Sequence, residues 1–296
     1  MSEQRADDAA DPGQGFDALG VPPLLVRSLA AMGVTEPTTG TDTTKIKTTA
    51  VKKGDRYVVN GQKVWISRVQ HSDFMILLAR TTPLADVRKK SEGMSIFIVD
   101  LHAAGVTRGP KEHKMGQRAS QVGALNFADV RLPSSALLGE ENRGFHMMMS
   151  VLDKGRVGIA ALAVGIGQAG LEAAVDYAGT RKQFGKQIAE FQGVQWLLAD
   201  MAKDIEAARL LVYSAAMKLD RGEDATKACS MAKCFAGDMA VARTSDAVQV
   251  FGGSGYIRGF EVERLYRDAK ICQIYEGTNQ IQRMIIAREL MKKGPR

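Results

Sequence analysis

The stretch Tyr275-Glu276-Gly277-Thr278-Asn279-Gln280 sets one carboxylate in a turn just before a segment whose apolar residues Ile281, Met284, Ile285 and Leu290 recur at helical spacing. Gly277 permits a positive φ or a close backbone approach. Thr278 or Asn279 can cap the helix that follows. A carboxylate fixed on such a turn suits a general base, provided the turn holds it against a substrate. The plainer reading of Glu276 is a solvated loop residue.

A second string, Val34-Thr35-Glu36-Pro37-Thr38-Thr39-Gly40-Thr41-Asp42, is rich in hydroxyls and ends in a glycine turn. Its backbone N–H and hydroxyl groups suit an anion or the edge of a heterocycle, although such clusters also mark ordinary loops. Trp65-Ile66-Ser67 follows, with Trp65 a core residue on the plain reading. Arg181-Lys182-Gln183-Phe184-Gly185-Lys186 reads as a basic helix end, favoured by the helix dipole. Phe251-Gly252-Gly253-Ser254-Gly255 follows a helix and not a strand, so it is no dinucleotide fingerprint and reads as a helix terminus. His71, His102, His113 and His146 lack ligand spacing, and no metal site is expected. Cys229, Cys234 and Cys272 form no paired framework, which predicts reduced, mostly buried thiols and an intracellular setting.

Two kinds of element must position these groups. Before residue 144, short β-type runs alternate with turns: 45–51, 57–59, 63–66, 74–80, 94–99 and 125–130. Asn60-Gly61 between two of them predicts a type I′ hairpin turn. With no long helix between the strands, an antiparallel sandwich or barrel is expected over 34–143. After Gly144 the periodicity is helical: 146–180, 192–221, 225–250, 261–271 and 281–292. This predicts a four-helix-type bundle over 144–296, and the fold class is α+β. The glycines of the first helix are candidate close-packing points. The second helix carries Leu197, Leu198, Met201, Ile205, Ala208, Leu211, Val212 and Ala215 on one face. Residues 1–33 begin as a polar, disordered-looking stretch, with one short helix expected over 21–32.

Composition narrows the classes. With 45% hydrophobic and 25% charged residues the chain is of ordinary globular type. No apolar run long enough for a membrane helix is expected, nor a signal or transit peptide. The net charge of +7 is spread along the chain. Its short basic clusters, Arg88-Lys89-Lys90 and Lys292-Lys293, lack interleaved aromatics, which argues against nucleic acid. Solvated surface charge is the default reading, with attraction of a polyanionic small molecule such as coenzyme A or a dinucleotide as a secondary use.

In this order the strings resemble the acyl-CoA dehydrogenase family from about Val34 to Lys293. YEGTNQIQ followed by Ala287-Arg288-Glu289 resembles the family's C-terminal signature, whose glutamate is the base; that position is Glu276. VTEP and Trp-Ile-Ser resemble the flavin-contacting loop and strand, which implies FAD contacts at Val34, Thr35, Trp65, Ile66 and Ser67. Arg181 and Phe184 match the Arg-x-x-Phe-Gly segment that reaches the FAD pyrophosphate across a subunit boundary. Gln192, Gln249, Gly252, Gly253, Thr278 and Gln280 match further FAD contacts. Thr41, Asp153, Arg156 and Gly277 match positions near the acyl-CoA. In Leu152-Asp153-Lys154-Gly155-Arg156-Val157-Gly158-Ile159-Ala160, some family branches place the base immediately before the Arg; here that residue is Gly155. The form resembles short-chain, butyryl-CoA-type members.

The resemblance implies FAD-dependent oxidation of an acyl-CoA thioester to the trans-2-enoyl-CoA, with Glu276 taking the α-proton and the flavin accepting the β-hydrogen as hydride. Electrons would pass to an electron-transfer flavoprotein, from a homodimer or homotetramer in the cytoplasm, or in the mitochondrial matrix of a eukaryote. Two departures stand out. The 33 residues before Val34 are too few for the family's N-terminal helical domain, and Arg68 stands where many members carry Asn. Two other readings accompany the dehydrogenase: an inactive relative that binds FAD or full-length subunits as a structural partner, and an acyl-CoA oxidase.

Overall fold

The structure, a computed structural model, describes residues 32–293. The expected disordered stretch and all but the last residue of the expected 21–32 helix lie outside the described residues. Two compact units are present: residues up to His113 together with Ala119–Val151, and Lys114–Arg118 together with the residues from Leu152 onward.

The first unit is built on one eight-stranded sheet. Its strands are β1 (Met32–Gly33), β2 (Thr49–Lys53), β3 (Arg56–Ser67), β4 (Phe74–Arg80), β5 (Met94–Asp100), β6 (Val106–Arg108), β7 (Val122–Pro133) and β8 (Leu137–Leu138). They lie in the order β6-β7-β3-β2-β4-β5-β8, with β1 beside β4. Pairing is antiparallel except at the β1–β4 and β2–β4 joins, which are parallel, so the sheet is mixed and not purely antiparallel. β4 reads FMILLAR and is buried from Met75 to Arg80, as expected for a strand covered on both faces. The expected 45–51 strand is displaced: Thr43–Lys45 is a turn of 3-10 helix, and β2 starts at Thr49.

The Asn60-Gly61 hairpin is overturned. β3 runs unbroken past it, with a register shift against β7 between Val59 and Gly61, and such a bulge absorbs the extra residue. The Asn60 side chain exchanges two hydrogen bonds with Asp129, donating to Oδ1 at 3.0 Å and accepting from its N–H at 2.9 Å. A Cβ at Gly61 would lie 2.5 Å from Thr48 Oγ1, so the glycine serves close approach and not reversal. The chain turns instead at Gly54-Asp55, between β2 and β3. Long-range pairing outweighed a local turn preference.

The second unit is helical. α1 (Gly144–Thr180), which starts in the first unit, leads into a small hairpin, β9 (Lys182–Gln183) and β10 (Lys186–Gln187). Then come α2 (Gln192–Asp220), α3 (Thr226–Phe251), α4 (Glu261–Ala269) and α5 (Asn279–Lys293). The core is rich in alanine: Ala160, Ala163, Ala174 and Ala178 of α1 meet Ala208 and Ala215 of α2 and Ala232, Ala236, Ala240 and Ala247 of α3. Small side chains allow close helix approach, and Met201, Ile205 and Met239 fill what remains. Gly167 is a packing point, since a Cβ there would meet Met239 Sδ at 3.0 Å, whereas Gly158, Gly165 and Gly179 have open space.

Three expectations change in this unit. α1 is long and apolar enough to cross a membrane by length and composition, contrary to the sequence reading; one face, with Ala160, Ala163, Val164, Ala174 and Ala178, lines the bundle core, while Leu162 and Val175 are exposed. The basic string after α1 is the β9–β10 hairpin and not a helix end. In α5 the fully buried residues are Asn279, Gln282 and Glu289, whereas Met284 is 66% exposed and Met291 89%. Each has polar partners there: Gln282 donates to the Glu276 and Gly277 carbonyls, Asn279 bonds Lys233, Cys234 and Asp238 of α3, and Glu289 pairs with Arg288 and Lys292.

Candidate active site

In the first unit the hydroxyl-rich loop is fixed by a buried ion pair that sequence inspection did not single out. Glu36 turns back on Thr39 through two backbone hydrogen bonds. Its carboxylate accepts from Lys47 N–H (2.6 Å), Thr48 N–H (2.9 Å) and Lys63 Nζ (2.8 Å). Lys63, fully buried in β3, also donates to the Val34 carbonyl at 3.2 Å. Burial alone would raise the Glu36 pKa, but the charge and hydrogen bond of Lys63 and the two N–H donors outweigh it and hold the carboxyl below its ordinary value. Burial pushes Lys63 down to about 8 despite its partner. The pair ties Val34 and Thr35 to β3, and Val64 N–H donates to Thr35 O at 2.9 Å.

Two residues further on, β3 bulges between Lys63 and Ile66. Trp65 there has φ 58°, a conformation costly for a bulky residue and found mostly where function requires it. The bulge leaves Ile66 buried and turns Trp65 outward, 67% exposed. The core reading of this tryptophan is therefore wrong. Ser67 and Thr41 are exposed, and Val34 and Thr35 half-buried.

In the second unit, Glu276 (φ 53°) and Gly277 (φ 87°) are consecutive left-handed residues. The Thr278 hydroxyl then accepts from Ile281 N–H at 3.3 Å, capping α5. Glu276 is thereby aimed at α1, where a Cβ on Gly155 would lie 2.8 Å from Oε2. The carboxyl group takes the space that a side chain at 155 would need. Burial raises the Glu276 pKa, and the charges of Arg156 and then Lys233 partly counter it. Arg156 is buried and paired with Asp153, whose other oxygen accepts from the Thr226 hydroxyl at 3.0 Å. Its Nε has no hydrogen-bond acceptor among the described residues.

Three supports for this turn escaped the sequence reading. Lys233, fully buried in α3, donates from Nζ to Gly277 O at 2.7 Å and to Asn279 Oδ1 at 2.9 Å. Gln282 donates to the same Gly277 carbonyl at 2.9 Å. Gln117, on the short Lys114–Arg118 segment, donates from its backbone to Asp268 at 2.5 Å and from Nε2 to Tyr275 Oη at 3.4 Å. The one visible signal for Lys233 was a charge inside an alanine-rich apolar helix.

Two relatives of known sequence are similar over most of the chain. It is 43% identical to the caffeyl-CoA reductase–Etf complex subunit CarC of Acetobacterium woodii, over 92% of this chain and 71% of that protein. It is 48% identical to an acyl-CoA dehydrogenase of Bacillus subtilis, over 89% of this chain and 68% of that one. The structure superposes on butyryl-CoA dehydrogenase from Megasphaera elsdenii with TM-score 0.89 and 42% identity, covering 95% of this chain and 75% of that one. The acyl-CoA dehydrogenase middle domain matches residues 31–130, and the C-terminal domain of the same family matches 142–291. The chain belongs to the acyl-CoA dehydrogenase family.

Family membership makes it a flavoprotein oxidoreductase of the FAD-dependent type. FAD needs an aromatic face for the isoalloxazine, polar partners for its edge and a cation for the pyrophosphate. In the first unit the exposed Trp65 offers an aromatic face and Thr35 and Ser67 offer hydroxyls; in the second unit the exposed Arg181 offers a cation and Gln192 and Gln249 further polar groups, so each unit carries residue types that fit FAD. Phe184, at the β9–β10 tip with φ 51°, is 94% exposed and makes an edge contact with Phe191, next to Gln192. Gln249, Gly252 and Gly253 close α3, where Phe251 stacks on Tyr177 of α1 at 4.1 Å, one turn before Arg181. Gln280 is exposed on the first turn of α5. The residues thus fall into three groups: the loop and bulge of the sheet, the Glu276 turn with α1, and the far ends of α1 and α3 with the hairpin. Cys229, Cys234 and Cys272 are free and buried, and burial raises all three thiol pKa values, that of Cys229 to about 11.

Proposed function

We propose that the protein carries out FAD-dependent α,β-dehydrogenation of a short-chain acyl-CoA thioester, with Glu276 as the base. The observation that carries this reading is the Glu276 carboxyl group, held by two left-handed residues against Gly155, where burial raises its pKa. A carboxylate whose pKa is raised is a stronger base than one in water, and a fixed position removes the entropy of finding the substrate. Bound FAD would supply the two-electron acceptor for the β-hydrogen. Val34, Thr35, Trp65, Ile66, Ser67, Arg181, Phe184, Gln192, Gln249, Gly252, Gly253, Thr278 and Gln280 would hold it. Thr41, Asp153, Arg156 and Gly277 would line the acyl-CoA.

Electron-transfer flavoprotein is the proposed electron partner, in a cytoplasmic homodimer or homotetramer; the relative from A. woodii is named as a subunit of an Etf complex. Two relatives are named as reductases. Glu276 can serve that direction too, since an acid whose pKa is raised can return a proton to the α-carbon.

Anaerobic addition of butyryl-CoA to the purified yellow protein is expected to bleach the flavin. A colourless preparation that takes up no FAD would overturn the reading in favour of a structural partner. Reoxidation by air as fast as by electron-transfer flavoprotein would indicate an oxidase. Glu276→Gln should slow bleaching by about 100- to 10,000-fold with flavin still bound; unchanged bleaching would put the base elsewhere.

A further inference from the structure

Lys233 is the least expected group near the Glu276 turn. It lies on α3 between Ala232 and Cys234, with none of its surface exposed. A lysine so placed normally has a carboxylate partner; this one hydrogen-bonds a carbonyl and an amide oxygen. Both acceptors belong to the Glu276 turn or the residue that opens α5. Asn279, 2% exposed, is itself held by donating to Cys234 O at 3.0 Å and Asp238 Oδ1 at 2.8 Å. The Gly277 carbonyl receives a second donor from Gln282. The turn that carries Glu276 is therefore tied from α3 by a cation and from α5 by an amide.

We propose that Lys233 is the positioning residue of the base: its ammonium group clamps the Gly277 carbonyl, keeps Glu276 in its left-handed conformation over Gly155, and places a buried positive charge near its carboxyl group. The proposal rests on the dehydrogenase reading for the word base, but the geometry does not. An apolar side chain of similar length would fill the same space at lower desolvation cost. What it would lack is the clamp and the charge. The groups that act electrostatically on Lys233 are Cys272 and Cys234, Arg156 of α1, and Asp238 of α3, and its burial lowers its pKa to about 8. It is therefore mostly charged at pH values well below 8. Arg156 and Lys233 are the cations acting on Glu276, and Tyr275 is its titratable neighbour.

The test is a carbon-13 NMR titration of the holoprotein labelled at glutamate side-chain carboxyls, with Glu276 assigned by its loss in Glu276→Gln. Lys233→Gln keeps a donor of shorter reach and removes the charge; Lys233→Met removes both. Each is expected to raise the Glu276 midpoint by about one pH unit. Lys233→Met should also speed amide exchange over residues 277–280 about tenfold, as expected when a local clamp is lost. The pH profile of anaerobic bleaching should move with the midpoint. A Glu276 midpoint in Lys233→Gln within about 0.2 unit of the unsubstituted protein overturns the proposal, whatever happens to stability. Should Lys233→Met fail to fold, Lys233→Gln alone decides. Failure of the dehydrogenase reading looks different: the unsubstituted protein does not bleach, and the titration still reports on the clamp.

Discussion

Among the described residues two lysines have no exposed surface, one in each unit, and they are used in opposite ways. Lys63 in the sheet spends its charge on Glu36, whose carboxylate also accepts two backbone N–H groups. The result is a neutralised staple that pins the Val34–Thr35 loop beside the outward-turned Trp65. Lys233 in the bundle pairs with no carboxylate among the described residues and binds the Gly277 and Asn279 oxygens. Its charge is left to act on Glu276. Where a surface must be static, opposite charges are paired; where a carboxylate must change protonation state, the cation is held back from direct contact.

The largest effect is expected from breaking the first arrangement. Lys63→Met leaves Glu36 buried without its cation and should cost about 3–5 kcal/mol in urea unfolding. Adding Glu36→Gln should recover part of that loss; a mild single substitution would mean that the loop is held by backbone contacts alone. Next comes the packing of the base. Gly155→Ala puts a methyl group 2.8 Å from Glu276 Oε2 and should slow anaerobic bleaching about 10- to 100-fold, with little change in melting temperature. An unaffected rate would show that the carboxyl group works from elsewhere.

A smaller effect concerns pH and stability. Because burial raises the Glu276 pKa in the folded state, the folded protein binds this proton more tightly than the unfolded chain does. Its contribution to stability is full below the unfolded value near 4.5 and is lost as pH rises through the folded pKa. Ionised Glu276 therefore burdens the fold at neutral pH, and Glu276→Gln should raise the melting temperature there by about 2 °C or more. The difference should shrink below about pH 4.5, near the unperturbed glutamate value; melts across pH that show no such convergence would contradict the burial argument. The smallest effect is that of Thr278→Ala, which removes the α5 cap and should cost about 1 kcal/mol in the same unfolding measurement.

The sequence carried different amounts of this in different places. The inward face of α2 was readable residue by residue, because Met201, Ile205, Ala208, Val212 and Ala215 recur at the helical period and all are buried. β4 was readable as an unbroken apolar run. The same reasoning failed for α5, where Met284 and Leu290 are exposed while Asn279 and Gln282 point in, since polar groups of α3 and of the preceding turn bind them there. It failed again at Asn60-Gly61, where β7 supplied a partner and the strand continued through a favoured turn pair. Trp65 was legible as a motif but not in its orientation, which depends on a bulge against β7.

The sequence by itself determined the residue types: a lone carboxylate in YEGTNQ, a glycine at the position before Arg156, and the hydroxyl-rich and Trp-Ile-Ser strings. These are local, and local composition sets which chemistry is possible. Only the tertiary structure decided that the Glu276 carboxyl group occupies the space left by Gly155, more than a hundred residues away in sequence. It also decided that a lysine inside an alanine-rich helix holds the turn that carries Glu276. Burial, hydrogen-bond partners and the field at a carboxylate are properties of what surrounds it, and those neighbours come together only when the helices pack.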